Sequence, residues 1–81
     1  MLFRSDEVEG YDTAQMVRDA LAYTGGINEA NIEVHYGDGV VTLSGIAFSD
    51  AERRLAEDVA SHVPGVRRVV NEIMVVKAGG A

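Results

Sequence analysis

The stretch Ile32-Glu33-Val34-His35-Tyr36-Gly37-Asp38-Gly39-Val40-Val41-Thr42-Leu43-Ser44-Gly45-Ile46 decides the fold. Residues Ile32 to Tyr36 alternate apolar and polar at period two, the mark of a half-buried strand. Asp38-Gly39 tolerates the two positive φ angles of a type I′ turn, and a second strand-forming run, Val40 to Ile46, follows it. Counting outward from the turn sets the register: Tyr36 faces Val41, Val34 faces Leu43 and Ile32 faces Gly45. These pairs gather apolar side chains on one face, and Gly45 leaves room there for a close approach. A slip of one residue turns every side chain to the wrong face, so the pattern itself specifies the pairing.

A helix is predicted on either side of the hairpin. The first spans Thr13 to Tyr23, with Asp12 as N-cap and Gln15 at capping-box spacing. Ala14, Val17 and Leu21, with Ala20 beside them, form its apolar stripe, and Gly25-Gly26 stops it. The second spans Asp50 to His62, with Ser49 as N-cap and Glu52 completing a Ser-x-x-Glu box. Asp50 and Glu52 also suit the positive end of the helix dipole. Leu55, Val59 and Val63, with Ala56 and Ala60, make the buried stripe, and Pro64-Gly65 ends the helix. A long final strand, Val66 to Val76, puts Val69, Ile73 and Val75 on one face and Val70, Met74 and Val76 on the other. Asn71 interrupts the core-facing set, so its amide is expected to bond backbone near a helix end or a bend.

The order α-β-β-α-β defines an α+β domain with a three-stranded mixed sheet. The crossover through the second helix makes the second and third strands parallel and right-handed in connection, with both helices on one face. No element is left to cover the other face. That face carries Val40, Thr42, Ser44, Ile46, Val70, Met74 and Val76, together with Glu33, His35, Arg68 and Glu72. Residues 1–11 read as a flexible acidic leader and residues 12–76 as the folded domain. Residues 77–81 read as a flexible tail.

The 81 residues hold thirteen acids against seven bases, a formal charge of −6, and no cysteine. The acidic balance argues against nucleic acid and against simple attraction to anionic lipid. The missing thiols remove disulfides and thiolate metal sites. His35 and His62 fall in different elements with no acid set to complete a metal site, so no metal or cofactor is expected. The serines lie outside any nucleophile-elbow pattern, and the acid pairs Asp50/Glu52 and Glu57-Asp58 read as solvated helix-surface carboxylates. Gly37-Asp38-Gly39 lacks the following helix that a phosphate cradle needs. No enzyme is therefore expected. No apolar run approaches the length of a membrane span, and Met1-Leu2-Phe3 is too short for a signal-peptide core. On the chain as written, that expectation is cytoplasmic.

Ile32-x-Val34, Gly39-Val40-Val41-Thr42-Leu43-Ser44-Gly45 and Ser49-x-x-Glu52-Arg53 together resemble a BON domain. So do Ala56, Val59, Pro64-Gly65-Val66, Val69, Val70-Asn71 and Val75 further on. The resemblance covers residues 12–76. It implies the α-β-β-α-β sheet and a non-enzymatic role in binding phospholipid or tethering proteins at the bacterial envelope, as in osmotically inducible periplasmic proteins. An envelope location follows if a leader has been removed. Two candidate surfaces accompany that role. The basic doublets Arg53-Arg54 and Arg67-Arg68, placed at opposite ends of the sheet by the crossover, are candidates for a lipid headgroup or other anion. Val40, Ile46, Val70, Met74 and Val76 on the uncovered face are candidates for a protein partner or a weak homodimer, joined face to face or edge to edge through the third strand.

Overall fold

A computed structural model describes residues 5–77 of the chain, with side chains from residue 13 onward. The elements are α1 (Ser5–Tyr23), β1 (Ile32–Gly37), β2 (Val40–Ala47), α2 (Asp50–Ser61) and β3 (Arg68–Val75). A single 3₁₀ turn at Glu29–Asn31 leads into β1. The sheet order is β1-β2-β3. The first pair is antiparallel and the second parallel, as the crossover requires.

The hairpin register matches the count made from the turn. Tyr36 pairs with Val41, Val34 with Leu43 and Ile32 with Gly45. Asp38 and Gly39 take φ of 53° and 81°, the two left-handed residues of a type I′ turn. Gly45 takes φ of 115°, and a Cβ there would run into the carbonyl oxygen of Asn31. The space left by this glycine is therefore filled by the backbone that enters β1.

The core lies between the two helices and one sheet face. Val17 and Leu21 of α1 meet Val34, Val41, Leu43 and Ile73 of the sheet, all buried. Ala56 and Ala60 are fully buried. Their small side chains let α2 lie close on the strands, while Val63 closes the far end. Leu55, placed in the buried stripe by its spacing, is only half-buried. Its outer methyl sits beside Gly26 in the loop that follows α1.

Six element ends differ from those predicted. β1 and β2 each run one residue further, to Gly37 and Ala47, and β3 ends one residue earlier, at Val75. The other three are larger or have a visible cause. Helix α1 begins at Ser5, so Asp12 lies within the helix and cannot be its N-cap. Once Thr13–Tyr23 docks, each added residue gains a backbone hydrogen bond without a new nucleation penalty. Helix α2 closes one residue early, with His62 as its C-cap. β3 starts at Arg68 instead of Val66, because Val66 and Arg67 complete the turn out of α2: Val66 N–H donates to Val63 and Arg67 N–H to Gly39. Residues 1–4 of the leader and 78–81 of the tail lie outside the described residues.

Candidate functional site

Pairing orders the open face into rows. Val40 lies beside Arg68, Thr42 beside Val70, Ser44 beside Glu72 and Ile46 beside Met74. From β1, His35 joins the Thr42 row and Glu33 the Ser44 row. The face therefore runs from a cation at one end, through an acidic middle, to an apolar end. His35 Nε2 stands 3.5 Å from Glu33 Oε1, with both side chains well exposed, so this pair is a solvated rim. Met74 is 66% exposed and Val76 39%, whereas Val40, Ile46 and Val70 are half-buried.

Sequence reasoning missed Phe48 at the apolar end. Val76 N–H donates to Ala47 O at 2.8 Å, so Phe48 follows directly on the residue joined to Val76. Ala47 is fully buried, so strand alternation puts Ile46 on the opposite side, and Phe48 lies in the bend between β2 and α2. Phe48 is 46% exposed.

The two arginine pairs are not equivalent. Arg53 donates from Nε and Nη2 to Asp50 Oδ1 at 3.0 and 2.6 Å. Arg54 Nε lies 2.8 Å from Asp50 Oδ2. One carboxylate thus engages both guanidiniums. Hydrogen bonding from Arg53, helped by the charges of both arginines, holds Asp50 below the ordinary carboxylate range. Arg67 and Arg68 are tied through their backbone N–H groups to Gly39 O at 2.7 and 3.1 Å. The aliphatic stem of Arg67 lies over Gly39. Their guanidinium groups have no ion-pair partner among the described residues. With Asp38 and Val40 they line a shallow depression. Arg68 pairs with the start of β2, and Asp50 opens α2 beyond its end, so the doublets stay apart.

Glu52 is not a solvated surface acid. It is buried, and its two oxygens accept backbone N–H groups from Phe48 at 3.2 Å and Asn28 at 3.0 Å. Half of the predicted capping box forms, since Glu52 N–H donates to Ser49 Oγ at 3.0 Å. The reciprocal half is replaced by a tertiary bond, because the loop before β1 offers an N–H that nothing else satisfies. Asn71 is half-buried, and its amide bonds backbone as expected. Its Nδ2 donates to Arg53 O at 3.0 Å and to Glu57 Oε1 at 3.2 Å, and its Oδ1 accepts from Ile73 N–H at 3.1 Å.

A shallow groove of about 450 Å³ runs between the helices, floored by Met16, Ala20, Val59 and Val63 with Asp58 and His62 at its rim. Nδ1 of His62 is 2.7 Å from Asp58 O, which spends it on closing α2. No group of three or more potential metal-ligating side chains occurs among the described residues. No helix among them is long and apolar enough to cross a membrane.

The hairpin, the crossover and the open face agree with one family, and the BON domain model matches residues 12–77. The chain belongs to the BON domain family. Its fold is also similar to that of CdsD, a structural protein of the type III secretion system of Chlamydia trachomatis. That likeness has a TM-score of 0.71 at 22% identity over 86% of this chain, and the chain spans 33% of the CdsD structure. No curated protein matches the sequence. Family membership supports a binding or structural module of the non-enzymatic kind.

Proposed function

We propose that this BON domain is a protein-interaction module whose working surface is the apolar end of its open sheet face. The observation that supports this reading is exposed Met74 and Val76 beside half-buried Ile46 on the face that neither helix covers, next to the bend that carries exposed Phe48. Apolar groups in such a patch gain about 25 cal/mol per Å² when a partner removes them from water. Glu33 and Glu72 border the patch and oppose an anionic membrane at that spot. The test is affinity capture from an extract of the source cell, using the immobilised domain. A partner held by the wild type is expected to be lost with Met74→Lys and retained with Arg67→Glu plus Arg68→Glu. The opposite pattern overturns the reading.

A second reading, phospholipid binding at the bacterial envelope, rests on Arg67 and Arg68. Their guanidiniums lack ion-pair partners among the described residues, whereas Arg53 and Arg54 are both engaged by Asp50. The headgroup site then narrows to one doublet, at the cationic end of the face and remote from the apolar one.

A further inference from the structure

We infer that Arg18 and Asn71 close the two edges of the sheet against an added strand, whatever docks on the open face.

In the order β1-β2-β3, the edges are β1 and β3. An edge strand presents a row of backbone donors and acceptors to any other extended chain, and a monomeric domain has to block that row. On β1 the turn fixes which groups face outward. Gly37 and Val40 form the hydrogen-bonded pair that closes the two-residue hairpin, so Gly37, His35 and Glu33 bond toward β2. Ile32, Val34 and Tyr36 therefore present their backbone groups to the outside. The N–H of Ile32 donates to Glu29 O in the preceding 3₁₀ turn. The carbonyl of Val34, in the middle of this edge, accepts from Arg18 Nη2 at 3.4 Å. The guanidinium thus holds the place that an added strand's N–H would take, and it sets a charge there.

The edge of β3 is closed by the opposite polarity. Arg68 and Val76 donate their N–H groups toward β2, so the odd-numbered residues between them face outward. The outward N–H of Ile73 donates to Asn71 Oδ1 at 3.1 Å. The same side chain donates from Nδ2 to Arg53 O and Glu57 Oε1 of α2, at 3.0 and 3.2 Å. An incoming carbonyl would gain one bond at Ile73 only by prising loose a side chain that holds three. Both closures come from the helix layer: α1 supplies Arg18 to β1, and α2 anchors Asn71 against β3. The open face is then the sheet surface left for a partner, and contact there has to run through side chains.

Amide hydrogen exchange followed by NMR tests the β3 closure residue by residue. Ile73 N–H is expected to exchange about tenfold more slowly than the outward N–H groups of Val69 and Val75, the factor one retained hydrogen bond gives. Equal rates at the three positions overturn the closure of β3.

Sedimentation velocity up to about 0.5 mM protein tests both edges together. Arg18→Met with Asn71→Val is expected to assemble beyond the wild type at equal concentration, with Val69 and Val75 newly protected from exchange. Loss of one base takes the formal charge from −6 to −7, so assembly cannot come from weaker repulsion. Ser49→Ala, which weakens the fold without touching an edge, should match the wild type. A folded double variant that sediments as the wild type does overturns the inference. Equal assembly by Ser49→Ala also overturns it, because the effect then belongs to lost stability. Should the double variant fail to fold, Arg18→Met alone, which leaves the bonds of Asn71 in place, carries the same two outcomes.

Discussion

Glu52 Oε2 accepts the backbone N–H of Asn28 at 3.0 Å, joining the first turn of α2 to the loop that enters β1. The other oxygen of the same carboxylate holds Phe48 N–H, immediately before the helix. One buried side chain therefore fixes two chain segments that are far apart in sequence. It also fixes the backbone of exposed Phe48, in the bend that follows β2.

Removing that carboxylate leaves two partly buried N–H groups without acceptors, at about 1–3 kcal/mol each. Ser49→Ala removes a single cap bond, worth about 1 kcal/mol. Glu52→Ala is therefore expected to lower the urea midpoint more than Ser49→Ala. Glu52→Gln should fall between Glu52→Ala and wild type, since it keeps one acceptor oxygen. Equal midpoints for Glu52→Ala and Ser49→Ala would show that the Asn28 and Phe48 bonds contribute nothing.

Val34 is buried opposite Leu43, while Glu33 is exposed opposite Ser44. Val34→Asp places an unpaired charge in the core, at a cost of several kcal/mol, and is expected to unfold the domain. Glu33→Lys, one residue away, is expected to melt within a few degrees of wild type. Circular dichroism melts of the two variants check this, and equal melting temperatures would contradict the facing of β1.

Asp50 is held below the ordinary carboxylate range by Arg53 and Arg54. A folded-state pKa below the unfolded one gives stability that is present above the unfolded value, about 3.9, and lost as pH falls through the folded value. Asp50→Asn should therefore be less stable than wild type near neutral pH, and the two should converge in acid. Urea denaturation across that range measures the difference, which should also shrink with salt because the group is exposed. A gap that persists in strong acid would assign the effect to helix capping alone.

Lipid binding, if present, is expected to discriminate between the arginine pairs. Arg67→Glu with Arg68→Glu should abolish co-sedimentation with phosphatidylglycerol vesicles. Arg53→Glu with Arg54→Glu should spare it, because those guanidiniums are already engaged by Asp50. Binding should also decline with salt over the range where the screening length falls from about 10 to 3 Å. Binding indifferent to both doublets would remove headgroup electrostatics as the mechanism.

The hairpin register, the buried stripes of both helices and the identity of the open face were legible in the sequence. Each follows from local rules: the φ demands of Asp38-Gly39, a period of two in the strands, and apolar spacing along the helices. The Ser49 cap was legible for the same reason, as a bond between residues three apart. Only the tertiary structure decided which partners the charged and polar side chains take beyond their own helix. Ser-x-x-Glu spacing assigns Glu52 to its own helix end, but the fold brings Asn28 within 3.0 Å and the carboxylate turns to it. The Asp50–Arg53–Arg54 cluster is an i,i+3 and i,i+4 pairing along one helix and so was open to sequence reasoning. The surroundings of Arg67 and Arg68, with no acid paired to them among the described residues, were set by the fold. The grading of the open face from Arg68 to Met74 also required the parallel pairing of β2 with β3. Backbone conformation answers to neighbours along the chain, whereas a hydrogen bond or ion pair answers to whatever group the crossover delivers within about 3 Å.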